Sequence, residues 1–147
     1  MNGEKLNSSR APQAVGLYPH ARKFGDLLFL SGVGPRTLDS KDIPGVTLNN
    51  EGKIVDYDIE KQCHSVFNNI KVILEDCGSC WEKIIDVQVF LTNMKDDFKK
   101  YNKIYADYFS DNQPTRTTIE IKSLPTPIAI ELKAVSYTHL RAHETRG

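Results

Sequence analysis

The chain has 147 residues, 39% of them hydrophobic, and its 19 basic side chains balance 19 acidic ones. This length and composition suit one globular domain, and a neutral charge without a Lys/Arg cluster argues against a nucleic-acid partner. The first ten residues lack the apolar core of a signal peptide, and no run of about 18 apolar residues exists to span a bilayer. We therefore expect a cytoplasmic protein with no membrane partner.

Three cysteines are an odd number, so we expect reduced thiols rather than a disulfide framework. Cys77 and Cys80 form a C-x-x-C, which is compatible with a redox pair or with half of a zinc site. No second C-x-x-C exists, and Gly78 lies where a helix needs a C-terminal cap. We favour a helix end over a metal or redox site.

The first predicted element is a β-hairpin within residues 18–30, with Gly25-Asp26 as its turn. Its second strand runs from Leu27 to Leu30 and ends at Ser31-Gly32. The following residues, 32–53, contain several glycines and prolines and are too irregular for a helix. We expect this long loop to be partly ordered over a binding surface.

A helix is predicted to begin after Asp58, a residue type that favours the N-cap. Its apolar residues recur at the three-four spacing of an amphipathic helix: Ile59, Cys63, Val66, Phe67, Ile70, Ile73, Leu74 and Cys77. His64 falls on the polar side of this helix. The stretch "IIDVQVFLT" then alternates as a strand, and its apolar set is predicted to share one face: Ile85, Val87, Val89 and Leu91.

A second helix is predicted to begin near Lys95-Asp96 and to bury four aromatic residues, Phe98, Tyr101, Tyr105 and Tyr108. Two strands follow, "TRTTIEIKS" and "IAIELKAV", separated by prolines that stop either from running on. The order ββ-α-β-α-ββ predicts an α+β sheet with both helices on one face.

We predict a single domain over residues 1–136 and a non-native or disordered tail over residues 137–147, which lack apolar periodicity. His139 and His143 stand four apart in that tail, as two ligands on a helix would. No third ligand accompanies them, so we predict no metal site.

Several segments resemble one family over most of the chain, from Ala11 to Val135. They are "APQAVGLYPHARKFGDLLFLSG", "VFLTNMKDDF", "YADYF", "PTRTT" and "IAIELKAV". The chain resembles the RidA (YjgF) family of enamine/imine deaminases. Within that family, "SGVGPR", "SKDIPGV", "YDIEKQC" and "LPTPIAIELKA" are similar to the 2-aminomuconate deaminase branch.

The resemblance implies a chorismate-mutase-like fold, a homotrimer with clefts between neighbouring subunits, and neither a metal nor an organic cofactor. It makes Arg116 the anchor of the substrate carboxylate, and Glu131 a group that orients or deprotonates water. It adds Tyr18 to the catalytic residues and Ser31-Gly32 to the substrate-binding ones. An arginine can hold a planar carboxylate through two parallel hydrogen bonds, which suits this chemistry.

Spacing alone favours simpler interpretations of the same residues. Arg116 is then a surface cation paired with Glu120, Glu131 an outward strand residue, and Tyr18 a packed aromatic. Two further candidate substrate-binding residues depart from the family's usual ones: Thr118, where many relatives carry cysteine, and His20 beside the expected cleft. For His20, a solvated surface residue and a substrate-binding group stay equally open.

The leading hypothesis is hydrolysis of 2-aminomuconate to 2-oxohex-3-enedioate (4-oxalocrotonate) and ammonia, in the kynurenine route or another catabolism of aromatics. The second carboxylate of that substrate needs another cation or donor, for which Arg36, Lys41 and His20 are candidates. The alternatives are a general 2-iminobutanoate/2-iminopropanoate deaminase and a non-catalytic trimer that binds small carboxylates.

Overall fold

A mixed sheet of six strands forms the centre of the computed structural model, which describes residues 3–138. The elements are β1 (Glu4–Leu6), β2 (Ala21–Phe24), β3 (Leu27–Leu30), β4 (Val46–Leu48), β5 (Ile54–Tyr57), α1 (Ile59–Asp76), β6 (Ile84–Leu91), α2 (Met94–Tyr108), β7 (Thr115–Glu120) and β8 (Ile130–Tyr137). The strand order is β1-β2-β3-β8-β6-β7, and only β6 and β7 run parallel. The predicted α+β class is confirmed, although β1 was not anticipated.

The β2–β3 hairpin is confirmed, with Phe24 paired to Leu27 across a two-residue turn. Gly25 has a φ of 61°, a left-handed conformation that glycine adopts without a Cβ penalty. The turn sets the register that carries β3 beside β8 and brings Ser31-Gly32 to the end of the strand.

Helix α1 begins and ends as its sequence indicates. The Asp58 side chain accepts hydrogen bonds from the backbone N–H groups of Glu60 and Lys61, and Gly78 follows the last turn with a φ of 94°. All eight predicted apolar positions are buried. One buried polar residue joins them: the side chain of Gln62 accepts from the backbone N–H of Ala129, which ties the helix to the start of β8.

Two predicted burials are wrong. Ile85 is 43% exposed and Ile84 is buried in its place, because the β6–β8 register shifts between Ile84 and Asp86 and inserts a bulge. Tyr108 is 36% exposed because it ends α2, where its hydroxyl bonds His64 Nδ1 at 2.6 Å.

The long loop after β3 is not wholly irregular, since β4 and β5 form a small antiparallel sheet of their own. Strand β8 continues to Tyr137, one residue past the boundary predicted for the domain, and the Thr138 N–H donates to the Asp26 carbonyl. The histidine pair of the predicted tail, at 139 and 143, lies outside the described residues. Neither helix within residues 3–138 is long and apolar enough to cross a membrane.

The two faces of the sheet have different surroundings. Both helices cover one face, where alternate residues of β6 and β8, such as Val89 and Leu132, are fully buried. The other face, here called the open face, carries no helix from residues 3–138. Its exposed apolar side chains are Phe24 (57% exposed), Leu27 (37%), Phe29 (39%) and Ile119 (43%).

Candidate functional site

Arg116 lies near the start of β7, the strand at one edge of the sheet, and its side chain turns toward α2. The guanidinium donates from Nη1 to Asn102 Oδ1 at 2.8 Å. Its Cζ stands over the ring of Tyr105 at 4.6 Å from the centroid and over that of Tyr101 at 5.6 Å. These contacts hold the cation against two aromatic faces.

The simpler interpretation of Arg116 as a partner of Glu120 does not hold. Glu120 instead accepts a hydrogen bond from the backbone N–H of Met94 at the start of α2. Within residues 3–138, no carboxylate forms an ion pair with Arg116. An arginine has five N–H donors, and among the described residues the neutral oxygen of Asn102 accepts from one of them.

The phenols around Arg116 stay neutral at ordinary pH. Burial raises the pKa of Tyr105 to about 12 and also raises the pKa of Tyr101. The hydroxyl of Tyr101 shares a hydrogen bond of 3.0 Å with Thr118 Oγ1. Thr118, which we predicted to bind substrate, is half-buried beside Arg116. Its hydroxyl already forms a hydrogen bond with the Tyr101 side chain.

Glu131 projects from β8 onto the open face, because its neighbours Ile130 and Leu132 are buried on the helix face. Burial raises the pKa of the Glu131 carboxyl above its ordinary value. No hydrogen bond from a described residue reaches the carboxylate. Gly32 lies directly against it, since a Cβ built on Gly32 would be 2.5 Å from Oε2.

The remaining predicted residues group near Gly32. Tyr18 is 41% exposed, and its hydroxyl accepts from the Val15 N–H at 3.3 Å. Ser31 donates from Oγ to the Pro19 carbonyl at 2.8 Å. Tyr18, Ser31 and Gly32 line one pocket together with His20 and Arg36. The structure thus brings five of the eight predicted site residues to one wall, beside Glu131.

His20 is held by the backbone rather than left free. Its Nδ1 accepts from the Ser8 N–H at 2.9 Å, and its Nε2 lies 2.7 Å from the Pro12 carbonyl. These partners require the proton on Nε2, because Nδ1 must accept. The imidazole therefore fastens residues 8–12 to the start of β2, and a role in binding substrate would require breaking one of these bonds.

Arg116 and Glu131 do not meet within one chain. Arg116 pairs with Val87 of β6 and Glu131 with Phe90 of the same strand, so the two lie two strands and three residues apart. Standard strand spacings place their Cα atoms roughly 14 Å apart, and their side chains point to opposite faces. A small substrate cannot touch both in a single chain.

Sequence reasoning missed the residues that hold Arg116, which are Asn102, Tyr101 and Tyr105. The signal was present: "YNKIY" places Tyr101 and Tyr105 four apart on one helix face, with Asn102 beside them. The two tyrosines were predicted only as buried residues of the helix, and no role was predicted for Asn102. Nothing in the sequence alone says that this face meets the edge strand.

No cluster of three or more His, Cys, Asp or Glu side chains within the described residues is placed to hold a metal ion. Fold and site together define a small α+β protein with two separated polar centres. Among the described residues, Arg116 on the helix face has no acidic partner, and Glu131 on the open face has no hydrogen-bond donor.

The chain belongs to the Endoribonuclease L-PSP family, whose sequence model matches residues 8–138. This finding confirms the resemblance to the RidA family. A RutC family protein of Pyrococcus horikoshii is 37% identical over 134 residues, which cover 91% of this chain and 97% of that protein. Reactive Intermediate Deaminase A, chloroplastic, of Arabidopsis thaliana is 32% identical over 133 residues, covering 90% of this chain and 65% of that protein.

Solved structures of related proteins have the same fold as this chain. The crystal structure of the yeast protein YEO7 has a TM-score of 0.81 and 29% identity, and covers 94% of this chain and 100% of that one. The structure of E. coli TdcF with bound serine has a TM-score of 0.78 and 27% identity, covering 92% of this chain and 99% of that one.

Proposed function

We propose that the protein is a deaminase that hydrolyses the C=N bond of small imine and enamine acids. Protonation of an enamine at carbon gives the imine. Water then adds to the C=N carbon, and the resulting carbinolamine expels ammonia to leave a ketone, so that one water enters for each ammonia released. The name of the Arabidopsis relative, Reactive Intermediate Deaminase A, supports this reaction class.

The observation that carries the proposal is the state of Arg116. A stacked guanidinium that bonds the neutral Asn102 and has no acidic partner within residues 3–138 is oriented before any ligand arrives. Its remaining donors suit a carboxylate, which it would hold through two parallel bonds. The carboxylate of an imino acid is adjacent to the reacting carbon, so gripping it fixes that carbon as well. The serine bound in E. coli TdcF is a ligand with the same type of carboxylate.

Glu131 is the residue we propose to act on water. A carboxylate whose pKa is raised by burial is a stronger base than an ordinary one. It has no donor among the described residues, so it is available to accept a proton from the attacking water. Tyr18 and Ser31, on the same wall, are proposed to orient the substrate.

The separation of Arg116 from Glu131 requires a second copy of the chain, and we propose a homotrimer with sites between subunits. Arg116 of one copy then faces Glu131 and Gly32 of its neighbour. The apolar side chains on the open face supply a surface for such an assembly, because an unpartnered sheet face this apolar is unusual on a monomer.

For the substrate itself, we propose 2-aminomuconate, converted to 2-oxohex-3-enedioate, in the kynurenine route or another catabolism of aromatics. The likeness of "SGVGPR" and "LPTPIAIELKA" to that branch is what favours it over 2-iminopropanoate. A neutral chain without a basic aromatic surface gives no reason to propose RNA as substrate, despite the family's name.

The test measures ammonia release from 2-aminomuconate and from 2-iminopropanoate by wild type, Arg116→Ala and Glu131→Gln. We expect turnover by wild type, weak binding and little turnover by Arg116→Ala, and retained binding without turnover by Glu131→Gln. Wild type that binds carboxylates but releases no ammonia from either substrate would instead identify a non-catalytic binding protein. Lys71→Gln, an exposed change on α1, is the matched control for loss of a charge.

A further inference from the structure

The pocket beside Glu131 contains a second arginine. Arg36, from the long loop after β3, lines it together with Tyr18, Ser31 and Gly32, and the buried side chain of Ile73 forms part of its wall. Gly32 belongs to this pocket and also touches the Glu131 carboxylate. Gly32 therefore links the Glu131 carboxylate to the pocket that Arg36 lines.

The backbone that carries Arg36 is fixed to α1. The side chain of Asn69, itself buried, donates from Nδ2 to the carbonyl of Gly34 at 2.9 Å and to the carbonyl of Arg36 at 2.7 Å. Ser65 donates from Oγ to the Pro35 carbonyl at 2.7 Å. Three hydrogen bonds from one helix thus hold three successive residues in place, which is the kind of support that keeps a binding side chain in position.

The charge of Arg36 is not neutralised by the described residues. Its Nη2 donates to the Gln13 carbonyl at 2.8 Å, and no carboxylate within residues 3–138 forms an ion pair with it. No Asp or Glu lines the pocket either. A guanidinium bonded to one neutral acceptor retains donors for an anion, and a carboxylate fits its fork.

The structure favours Arg36 over His20 and Lys41, the other two candidates for binding the second carboxylate. Both ring nitrogens of His20 already bond backbone groups. Lys41 is exposed and does not line the pocket.

We infer that Arg36 forms a second carboxylate subsite, which selects dicarboxylic imine and enamine acids over monocarboxylic ones. The inference rests on the proposed function, because it assumes that the first carboxylate is held by Arg116 of a neighbouring copy. The segment of residues 13–14, fastened to Arg36 through the Gln13 carbonyl, then closes the far end of the substrate pocket.

The experiment compares kcat/KM for 2-aminomuconate and for 2-iminopropanoate in wild type, Arg36→Gln, Arg36→Lys and Lys41→Gln. Loss of a charge-assisted hydrogen-bonded pair predicts a fall of about 10- to 100-fold on the dicarboxylate for Arg36→Gln, with the monocarboxylate within about twofold of wild type. Arg36→Lys keeps the charge but loses the fork, so its loss should be smaller. Lys41→Gln, the same charge change in the same loop, should leave both substrates unaffected.

An equal loss on both substrates would overturn the inference, since Arg36 would then only support the pocket wall. No loss on either, an effect at Lys41 instead, or turnover of the monocarboxylate alone by wild type would overturn it as well. Calorimetric binding of cis,cis-muconate against the monocarboxylate sorbate tests the subsite without turnover. Muconate binding that weakens in Arg36→Gln supports it even if no ammonia is released, in which case only the proposed reaction fails.

Discussion

Replacing Gly32 by alanine tests whether the Glu131 carboxylate must lie where the structure places it. The added Cβ would stand 2.5 Å from Oε2 and 2.9 Å from Cδ of Glu131. An ordinary contact is about 3.5 Å, so the carboxylate must retreat by about 1 Å. A misplacement of that size can cost about 10²-fold in rate, which corresponds to about 2.7 kcal/mol of transition-state stabilisation.

The fold should not suffer from the same change. Gly32 does not have a positive φ, so alanine is compatible with its backbone, and the atoms it displaces are the end of a flexible side chain. We expect ammonia release to fall about 100-fold while the melting temperature stays within a few degrees of wild type. A coupled glutamate dehydrogenase assay and a thermal melt measure the two quantities.

A double-mutant cycle tests whether Gly32→Ala lowers the rate by displacing the Glu131 carboxylate. In a Glu131→Ala background the carboxylate is absent, so adding Gly32→Ala should change the residual rate by less than about twofold. Full activity in the single Gly32→Ala variant would refute the reasoning, and so would a further large loss in the double variant. Either result would mean that the close approach of Gly32 has no part in placing the base.

Two further predictions concern titration. Because burial raises the pKa of Glu131, ionisation of this carboxyl destabilises the folded protein above that pKa. Glu131→Gln should therefore have a higher melting temperature than wild type near neutral pH. The difference should vanish as the pH falls through the raised pKa toward the ordinary value of a glutamate. A melting difference that grows on acidification would contradict this sign. Burial raises the pKa of Cys63 to about 12 and also raises the pKa of Cys77. An alkylating reagent at neutral pH should therefore label the partly exposed Cys80 first, which peptide mass spectrometry would measure. Rapid labelling of Cys63 in the folded protein would count against the buried environment of α1.

The sequence predicted best where one periodic pattern decided the structure. Helix α1 follows from its three-four spacing, from Asp58 at its start and from Gly78 after its end. The hairpin turn at Gly25 follows from equally local chemistry. These features depend on residues that are close together in the chain, so the local sequence is enough to predict them.

The failures depend on contacts between distant segments. The bulge that exposes Ile85 arises from the register of β6 against β8, which simple alternation does not reveal. The order of the sheet, with β6 between β7 and β8, likewise separates two strands that are consecutive in sequence. Pairing across the sheet is also what puts Arg116 and Glu131 on opposite faces.

For the site, the residue types were predictable and their arrangement was not. Resemblance to the family singled out Arg116 and Glu131, but only the coordinates show the stacking of Arg116 on Tyr105. His20 gave no sign in the sequence that both of its nitrogens bond backbone groups. These bonds join His20 to residues that precede it by 8 and by 12 positions. They form only in the folded chain, so the local sequence does not indicate them.

The most direct test of the central claim is activity of mixed oligomers assembled from two inactive variants. Arg116→Ala and Glu131→Gln chains, carrying different affinity tags, would be co-expressed, and assemblies holding both tags would be purified. If each site takes its arginine from one copy and its glutamate from the next, every trimer that holds both tags has an intact pair at one of its three sites, and ammonia release should recover toward about one third of wild type. Mixed assemblies as inactive as either parent would contradict the account, because a site contained in one chain cannot be restored by a partner.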